Sequence, residues 1–273
     1  MGTLGPCEKI EKGTNEYDVC FQKMEGAAMH NLITCLFSAI DGYREQKYIA
    51  FLKSDPQKDK ILSNNPHMLM TMWLMSAQYD AEKASLIPFT LQERLGRCDM
   101  IFISSLHLHK VEQAMIHPTK IHRFPKKRAE YLYSMAHFIT ERYNGEPSNI
   151  WKNASSKEIT RRLLEIKGFG PKLASMVPIN LIRNLDMHLA DQKTMDIAVD
   201  VHVARVLKRT GLCLQDADYS EMASTARKIA EQEGRFAMEL DLPLWATGKF
   251  FCHENNAKCA YCPLGKHCPK IYS

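Results

Sequence analysis

Four cysteines near the C-terminus carry the most specific chemical signal in this chain of 273 residues. They are Cys252, Cys259, Cys262 and Cys268, with the spacing C-x6-C-x2-C-x5-C. Thiolates are the ligands that soft metals and iron–sulfur clusters select. Structural zinc sites usually bring two close ligand pairs, whereas here a single close pair has one lone cysteine on each side. The spacing therefore favours a compact loop around one iron–sulfur cluster, with zinc as the alternative.

A glycine-rich turn is the second candidate site, with the sequence Ile-Lys-Gly-Phe-Gly-Pro-Lys over residues 166–172. Gly168 and Gly170 allow the backbone to approach a ligand closely, and the N–H groups that start the next helix can bind a phosphate. A plain helical turn would also explain the glycines. Lys172 is electrostatically misplaced at a helix N-terminus unless a phosphate or carboxylate lies near it, or its neutral form is needed as a nucleophile.

Asp200 is the third candidate, within the segment Val-Asp-Val-His-Val of residues 199–203. It stands at the N-cap position of a predicted helix, where backbone N–H groups stabilise a carboxylate anion. Capping alone would explain Asp200. Taken by itself, His202 has the character of a packed or hydrogen-bonded histidine.

The chain as a whole is predicted to be all-α. Apolar residues recur at three- and four-residue steps from Ala27 to Phe51 and again after Pro66, whereas strand alternation is almost absent. Residues 54–62 are polar and lysine-rich, which predicts a link. Ser155 and Glu158 have the spacing of a capping box at the start of the helix before the glycine-rich turn.

Charge and composition narrow the classes of protein. The formal net charge is +5, and hydrophobic residues make up 45% of the chain without a stretch long enough to span a bilayer. We therefore expect a soluble, intracellular protein of the cytoplasm, nucleoid or nucleus. Basic residues crowd into one run, which would be a solvated surface unless other features indicate DNA: Lys120, His122, Arg123, Lys126, Lys127 and Arg128.

In their order along the chain, the turn, Lys172, Asp200 and the four cysteines resemble the endonuclease III family of helix-hairpin-helix DNA glycosylases. The likeness includes Met75-Ser76-Ala77-Gln78, which is similar to a segment of that family, and it extends from about residue 62 to 270. The resemblance implies a two-lobed, all-α fold. A six-helix barrel would cover residues 63–185, and residues 26–62 with 186–273 would form an iron–sulfur lobe after an extension over residues 1–25.

The resemblance also implies roles for particular residues. Lys172 matches the family's nucleophile and Asp200 its catalytic carboxylate, while the four cysteines would hold a [4Fe–4S] cluster. Gln78 matches the side chain that fills the gap left by a flipped base, and Phe124 matches the neighbouring wedge. The remaining predicted DNA-binding residues lie in the hairpin, the basic run and the segment after Asp200: Gly168, Phe169, Gly170, Lys126, Lys127 and His202.

The function implied is that of a monomeric base-excision enzyme, a DNA glycosylase with abasic-site lyase activity. Its partner would be double-stranded DNA that contains a damaged, mismatched or modified base, with an oxidised pyrimidine as the expected substrate. Excision of mismatched thymine or uracil, or of a modified cytosine, is the alternative within the same chemistry. A non-catalytic iron–sulfur DNA-binding protein is the alternative from another class.

Overall fold

The computed structural model describes residues 30–38 and 51–271 of the chain. This part consists of helices and connecting turns, and it contains no β-strand, so the all-α prediction is confirmed. The predicted extension over residues 1–25, together with residues 39–50 of the N-terminal helical pattern, lies outside the described residues. Among the helices of the described segments, none is long and apolar enough to cross a membrane.

The helices are labelled here in chain order, and two short 3-10 turns interrupt them at Pro147–Ile150 and Gln192–Thr194. The helix ranges are α1 30–38, α2 Pro56–Ser63, α3 Pro66–Met75, α4 Ala81–Leu95, α5 Met100–Ser105, α6 Leu108–Ile116, α7 Pro125–Tyr143, α8 Ser156–Leu164, α9 Pro171–Leu185, α10 Val201–Arg209, α11 Tyr219–Gln232 and α12 Met238–Phe250.

The first hydrophobic core forms around α3, in which every residue from Met68 to Met75 is buried. Trp73 lies at its centre and contacts the rings of Phe51 and Trp151 edge-on, at centroid distances of 6.5 and 5.9 Å. The inner faces of the helices from α4 to α9 complete this core. The methionines of α3 therefore fill a core.

A second core is formed by α1 together with α10, α11 and α12. Leu32 and Leu36 of α1, Val206 of α10 and Leu244 of α12 are each at most 1% exposed. Residues from opposite ends of the sequence thus share one core. The first core reaches Ala198 in the chain, and the exact domain boundaries inferred from the sequence stay a prediction.

Residues 54–62 were expected to form a link, and this expectation is wrong, because α2 occupies most of the segment. Asp55 caps the helix by accepting a hydrogen bond from the backbone N of Lys58 at 3.0 Å. Asp59 is buried and accepts a hydrogen bond from the backbone N of Leu52 at 2.9 Å, while Leu62 packs into the first core. Two buried side chains are enough to dock a short helix whose other residues are polar.

The start of α8 was predicted correctly except for one contact. Ser155 caps the helix by accepting a hydrogen bond from the backbone N of Glu158 at 3.2 Å. The carboxylate of Glu158 does not complete a capping box, because it pairs with Arg161 and Arg162 at 2.9 and 2.8 Å. Two arginines within one turn outcompete a single backbone N–H for that carboxylate.

The connection between α9 and α10 is fastened to the same helix start by Asp191. Its two oxygens accept hydrogen bonds from the backbone N and the hydroxyl of Ser156, both at 2.7 Å. Burial raises the pKa of Asp191, but the hydrogen bonds from Ser156 and Lys157 outweigh this effect and lower the pKa overall. A charged Asp191 therefore holds the segment that leads to Asp200.

Replacing Asp191 with Asn should lower the free energy of unfolding at pH 7 by about 1 kcal/mol, because a partly exposed charged cap is lost. A carboxyl whose pKa is lowered on folding stabilises the protein above its unfolded pKa of about 4, and this stabilisation is lost as pH falls through the folded pKa. Denaturant unfolding at pH 7 and about pH 3 should show the difference shrinking at low pH. An equal difference at both pH values would contradict the role of the charge.

Candidate functional site

In the turn between α8 and α9, Gly168 is packed against side chains, whereas the space beside Gly170 is open. Gly168 has a φ of 103°, and a Cβ there would lie 2.8 Å from side-chain atoms of Leu74 and Tyr131. Gly170 has an ordinary φ of −89° and no atom within 4 Å of the position of a Cβ. Phe169 is only 5% exposed, so its side chain anchors the turn, and any contact it makes with DNA must use its backbone.

Basic side chains surround Tyr131 next to this turn. The cationic groups of Lys127, Arg128 and Lys167 lie 5.0, 5.6 and 5.9 Å from the centre of the Tyr131 ring. Lys126, Lys127 and Lys167 are exposed. The structure therefore brings one predicted DNA-binding lysine, Lys127, to the hairpin. It adds Lys167, which the sequence reasoning missed although it directly precedes the first glycine of the turn.

Gln78 and Phe124 are presented by a shared layer of polar and aromatic side chains. The chain leaves α3 through Gln78, whose φ of 58° lies in the left-handed region, and Phe124 precedes α7 with 41% of its surface exposed. His122 lies between them: its ring stacks on Tyr79 at 4.4 Å, and its Nδ1 accepts a hydrogen bond from the backbone N of Phe124 at 2.9 Å. Its Nε2 contacts the carbonyl oxygen of Met75 at 3.1 Å.

Two members of the basic run are buried and face the protein interior. Arg128 is 6% exposed and donates hydrogen bonds to the carbonyls of Leu74 and Ala77 at 3.3 and 3.0 Å, at the end of α3. Burial lowers the pKa of His122, and the charge of Arg128 lowers it further. A neutral His122 agrees with its acceptor role toward Phe124. These two side chains therefore support the wedge region and do not form part of a phosphate-facing surface.

Lys172 is the second residue of α9 and is half-buried. Its Nζ contacts the Sδ of Met176 at 3.6 Å and forms no ion pair with a carboxylate of the described chain. Gly170 supplies no side-chain cap to α9, and Pro171 has no N–H group. The ammonium and the positive end of the helix thus lie together without an anion in contact, which disposes this place to accept an anionic group.

Asp200 caps α10, as predicted. Its Oδ1 accepts hydrogen bonds from the backbone N of His202 at 2.9 Å and of Val203 at 3.0 Å. Val201 is 71% exposed, so this helix start faces solvent. The Nδ1 of His202 lies 3.0 Å from Nη2 of Arg205. Because arginine only donates, Nδ1 accepts, and the Nε2–H of His202 stays available to an outside acceptor.

Asp241 in the first turn of α12 experiences the charges of both Lys172 and Asp200, and the sequence reasoning missed it. Its side chain is 13% exposed, and Nη1 of Arg183 donates to its Oδ2 at 3.2 Å. Burial raises the pKa of Asp241, the charges of Arg183 and Lys172 lower it, and the charge of Asp200 raises it. Lys172 and Asp200 therefore act on the same carboxylate. An acidic residue inside the apolar stretch Leu240–Leu244 was the signal that could have identified it.

Tyr219 lies at the seam, which is the boundary where the first and second cores meet. The sequence reasoning missed this residue as well. Its hydroxyl donates to the carbonyl oxygen of Pro171 at 3.4 Å. Burial raises the pKa of Tyr219, so the hydroxyl keeps its proton at neutral pH, although the Ser175 side chain and the Val199 backbone act on the same hydroxyl and lower its pKa. Tyr219 thus contacts the start of α9 and lies near the residue that precedes Asp200.

The helix that Asp200 caps, α10, also contacts the cysteine loop, which is the segment from Cys252 to Cys268 that contains the four cysteines. Arg205 donates from Nε to the carbonyl oxygen of Cys252 at 2.5 Å, and Arg209 donates from Nη1 to the carbonyl oxygen of His253 at 2.6 Å. Gly248 of α12 lies against the same helix, since a Cβ there would lie 2.5 Å from a backbone oxygen of α10. The placement of α10 therefore depends on both α12 and the loop.

The four cysteines line one cavity with apolar walls. N–H groups point at their sulfurs, from Arg209 to Cys252 at 3.6 Å and from the backbone of Lys270 to Cys268 at 3.4 Å. Within the described ranges, no group of three or more His, Cys, Asp or Glu is arranged to hold a metal ion. A four-iron cluster is larger than an ion and separates its thiolates further, so this shared, apolar, N–H-lined cavity fits a cluster.

A family model for the HhH-GPD superfamily of base excision DNA repair proteins matches residues 71–232. One curated relative, the chloroplastic endonuclease III homolog 1 of Arabidopsis thaliana, is 24% identical over 160 residues, which are 55% of this chain and 36% of the relative. The chain thus matches just over a third of that relative's length. The family match includes the hairpin, Lys172 and Asp200, and it ends before the four cysteines.

Solved structures of DNA glycosylases share the fold. An endonuclease III–DNA covalent intermediate matches with a TM-score of 0.57 and 22% identity, over 78% of this chain and 92% of that chain. A thermostable thymine-DNA glycosylase matches with a TM-score of 0.60 and 15% identity, over 90% and 97%. The 8-oxoguanine DNA glycosylase of Thermotoga maritima matches with a TM-score of 0.51 and 21% identity, over 80% and 95%.

Alanine at Gly168 should mainly destabilise the fold, whereas alanine at Gly170 should mainly weaken DNA binding. Gly168→Ala should lower the free energy of unfolding by about 2 kcal/mol, because alanine is strained at positive φ and its Cβ meets two side chains. Gly170→Ala should cost only about 0.5 kcal/mol but should weaken binding to duplex DNA, since its Cβ occupies the open space before α9. Denaturant unfolding and fluorescence anisotropy measure the two effects. Unchanged DNA binding by the Gly170 variant would indicate a plain helical turn.

Proposed function

The chain belongs to the HhH-GPD superfamily of base excision DNA repair proteins, and we propose that it is a DNA glycosylase that also cleaves the strand at the abasic site. The observation that carries this proposal is the position of an amine and a carboxylate at two helix starts, from which the charges of both act on one nearly buried carboxylate. Lys172 begins α9, Asp200 begins α10, and the charges of both act on Asp241. An open glycine-rich turn lies directly beside the amine.

In this proposal the hairpin and its lysines bind the phosphate backbone of duplex DNA. The open backbone at Gly170 and the N–H groups at the start of α9 offer donors that read no base. Lys127 and Lys167 add positive charge to the same surface, with Lys126 beside them. His202 offers its Nε2–H from the opposite side of the seam. Such contacts hold the duplex in register over the cleft without selecting a sequence.

The target base must leave the helical stack before any group can reach its sugar, at a cost of a few kcal/mol. Gln78 and Phe124 are the side chains that would enter the gap. Phe124 is exposed, and the chain turns sharply at Gln78. The buried pair His122 and Arg128 fixes the backbone on both sides of them. Because these two side chains project from a fixed backbone, they lose little conformational entropy when they enter the gap. Their insertion therefore offsets part of the cost of unstacking.

Lys172 would then attack the deoxyribose. Its neutral Nζ forms a bond to C1′ while the bond between C1′ and the base nitrogen breaks, and the base leaves with that electron pair and takes up a proton. Asp200 stabilises the positive charge that develops on the sugar. The C1′–O4′ bond then breaks as O4′ takes up a proton, which opens the sugar ring and leaves a protonated imine between Nζ and C1′. This imine acidifies the C2′ hydrogen, and loss of that proton expels the 3′ phosphate. The strand is thereby cut by β-elimination.

The substrate proposed is an oxidised pyrimidine, which follows from the resemblance to the endonuclease III family. Mismatched thymine or uracil and modified cytosine are the other bases that the same chemistry can release. A non-catalytic DNA-binding role is disfavoured because both Lys172 and Asp200 are present and act on one carboxylate. Formation of a covalent adduct through Lys172 distinguishes an enzyme from a binding protein.

The cysteine loop would hold a [4Fe–4S] cluster through Cys252, Cys259, Cys262 and Cys268. Four iron–thiolate bonds would supply a cross-link between the end of α12 and the segment that reaches Cys268. Arg205 and Arg209 carry that rigidity to α10, since both donate to backbone carbonyls at the start of the loop. The loop would thus hold Asp200 in place from the side opposite to the substrate.

Borohydride trapping tests the nucleophile. Wild-type protein should form a covalent adduct with duplexes that carry thymine glycol, dihydrouracil or an abasic site, and Lys172→Ala should form none while strand cleavage falls by at least about 100-fold. Duplexes with 5-methylcytosine, 8-oxoguanine, or uracil or thymine opposite guanine complete the panel, and the base trapped best identifies the substrate.

Lys167→Ala is the matched control, because this exposed lysine lies on the same turn. It should weaken DNA binding and leave trapping at saturating protein unchanged. Wild-type protein that binds the abasic duplex without forming an adduct would establish a binding protein instead of an enzyme. An adduct that persists in Lys172→Ala would assign the nucleophile to another residue.

The cofactor is tested on purified protein. Anaerobic preparations should contain about four iron and four sulfide per chain and absorb broadly near about 400 nm. Cys262→Ser should lose this absorption and lower the melting temperature, whereas Cys35→Ser, a partly buried cysteine of α1, should keep it. Colourless protein with about one bound zinc would show that the alternative metal is correct.

A further inference from the structure

Asp241 is a nearly buried carboxylate at the seam for which the proposed chemistry has no role. It belongs to α12 in the second core, while its partner Arg183 belongs to α9 in the first. The pair is poorly matched. Arg183 gives Asp241 one hydrogen bond of 3.2 Å, gives another of 3.3 Å to Asn180, and within the described chain has no partner for its buried Nε. A full ion pair would use two parallel bonds, so the anion of Asp241 is only partly stabilised.

The same helix face leads from Lys172 to this pair. Lys172, Met176, Asn180 and Arg183 follow each other at steps of four, four and three residues, so they lie in one row along α9. The side chain of Lys172 extends along this row, because its Nζ contacts Met176 Sδ at 3.6 Å. The amine therefore lies on the side of α9 from which Arg183 reaches Asp241.

The two carboxylates near Lys172 have opposite surroundings. Asp200 accepts two backbone N–H hydrogen bonds at a solvent-facing helix start. Asp241 lies among the apolar residues of α12 and has one side-chain donor. Burial raises the pKa of Asp241 more strongly than Arg183 and Lys172 lower it. Where neighbouring carboxyl groups differ in this way, they serve different steps of a reaction.

We propose that Asp241 accepts the proton that Lys172 must lose before it attacks, and that Asp200 remains the anion facing the sugar. This inference rests on the proposed function. In the step, an N–H bond of the Lys172 ammonium breaks and an O–H bond forms on Asp241, directly or through one water. The products are a neutral amine with a free electron pair and a neutral carboxyl group. No electrons leave the pair, and Asp241 returns the proton to solvent after the adduct has formed.

The charges around Asp241 agree with this direction of transfer. Arg183 and Lys172 face it from α9, Asp200 from the start of α10, and Tyr219 from the start of α11. On its own helix, Glu239 is engaged with Arg235 at 2.6 Å. The transfer moves one proton within the group, so the total charge of Lys172 and Asp241 is unchanged by it.

The test is the pH dependence of adduct formation with a duplex that already contains an abasic site, under single-turnover conditions. Asp241→Asn should form the borohydride-trapped adduct about 100-fold more slowly than wild type at pH 7. The deficit should narrow steadily toward about pH 9, because solvent takes the lysine proton more readily as pH rises. A purely structural defect would lower the rate by one factor at every pH.

Glu239→Gln is the matched control, since Glu239 lies on the same helix, is 14% exposed and is paired with an arginine. It should retain the wild-type pH profile. The double variant Asp241→Asn, Arg183→Gln removes both charges together, and it should fold, as judged by circular dichroism, and show the same pH-dependent deficit. This variant keeps the inference testable if the single substitution Asp241→Asn leaves Arg183 too poorly paired for folding.

The outcomes separate the two proposals. If wild-type protein forms no adduct with the abasic duplex, the proposed function fails. If wild-type protein forms the adduct and both Asp241 variants reproduce its pH profile, or lose the same factor at every pH, the assignment of Asp241 is wrong while the function stands. A deficit that narrows with rising pH in both variants, but not in Glu239→Gln, supports the assignment.

Discussion

Lys172 and Asp200 each begin a helix, and the two helices belong to different hydrophobic cores. Their distance therefore depends on contacts that cross the seam between the cores. Tyr219 of α11 hydrogen-bonds to the start of α9, and Arg183 reaches Asp241 from the other core. Both starts are positive ends of helix dipoles, so carboxylates are favoured between them. The same field disposes the surface toward DNA phosphate.

The buried polar residues of the first core serve the exposed ones. His122 and Arg128 use their hydrogen bonds on backbone groups at the end of α3 and the start of α7. As a result, Gln78 and Phe124 project from fixed backbone. Tyr131 has a similar position under the hairpin, where it packs against Gly168 and carries lysines on its ring face. The exposed side chains of this surface are thus positioned by residues that lie buried or partly buried behind them.

The cysteine loop is coupled to the site through a single helix. α10 begins at Asp200, carries Arg205 and Arg209 into the loop, and packs against Gly248 of α12 so closely that no side chain fits between them. Asp241 lies earlier on α12. The cysteine loop can therefore influence the positions of both carboxylates, because α10 and α12 pack tightly against each other. Rigid packing, and not direct contact, connects the proposed cluster with the proposed chemistry.

Local signals were sufficient for the all-α class, the hairpin, the cap at Asp200 and the helix position of Lys172, because spacing and capping depend on neighbours in sequence. Tertiary structure alone decided that His122 and Arg128 are buried, that α2 docks on the first core and that Lys167 joins the hairpin surface. It also decided that Asp241 experiences the charge of Lys172 and that Tyr219 contacts Pro171, the neighbour of Lys172. These residues are separated from Lys172 by 69 and 47 positions, and contacts over such separations arise from how two cores pack, which short-range patterns do not encode.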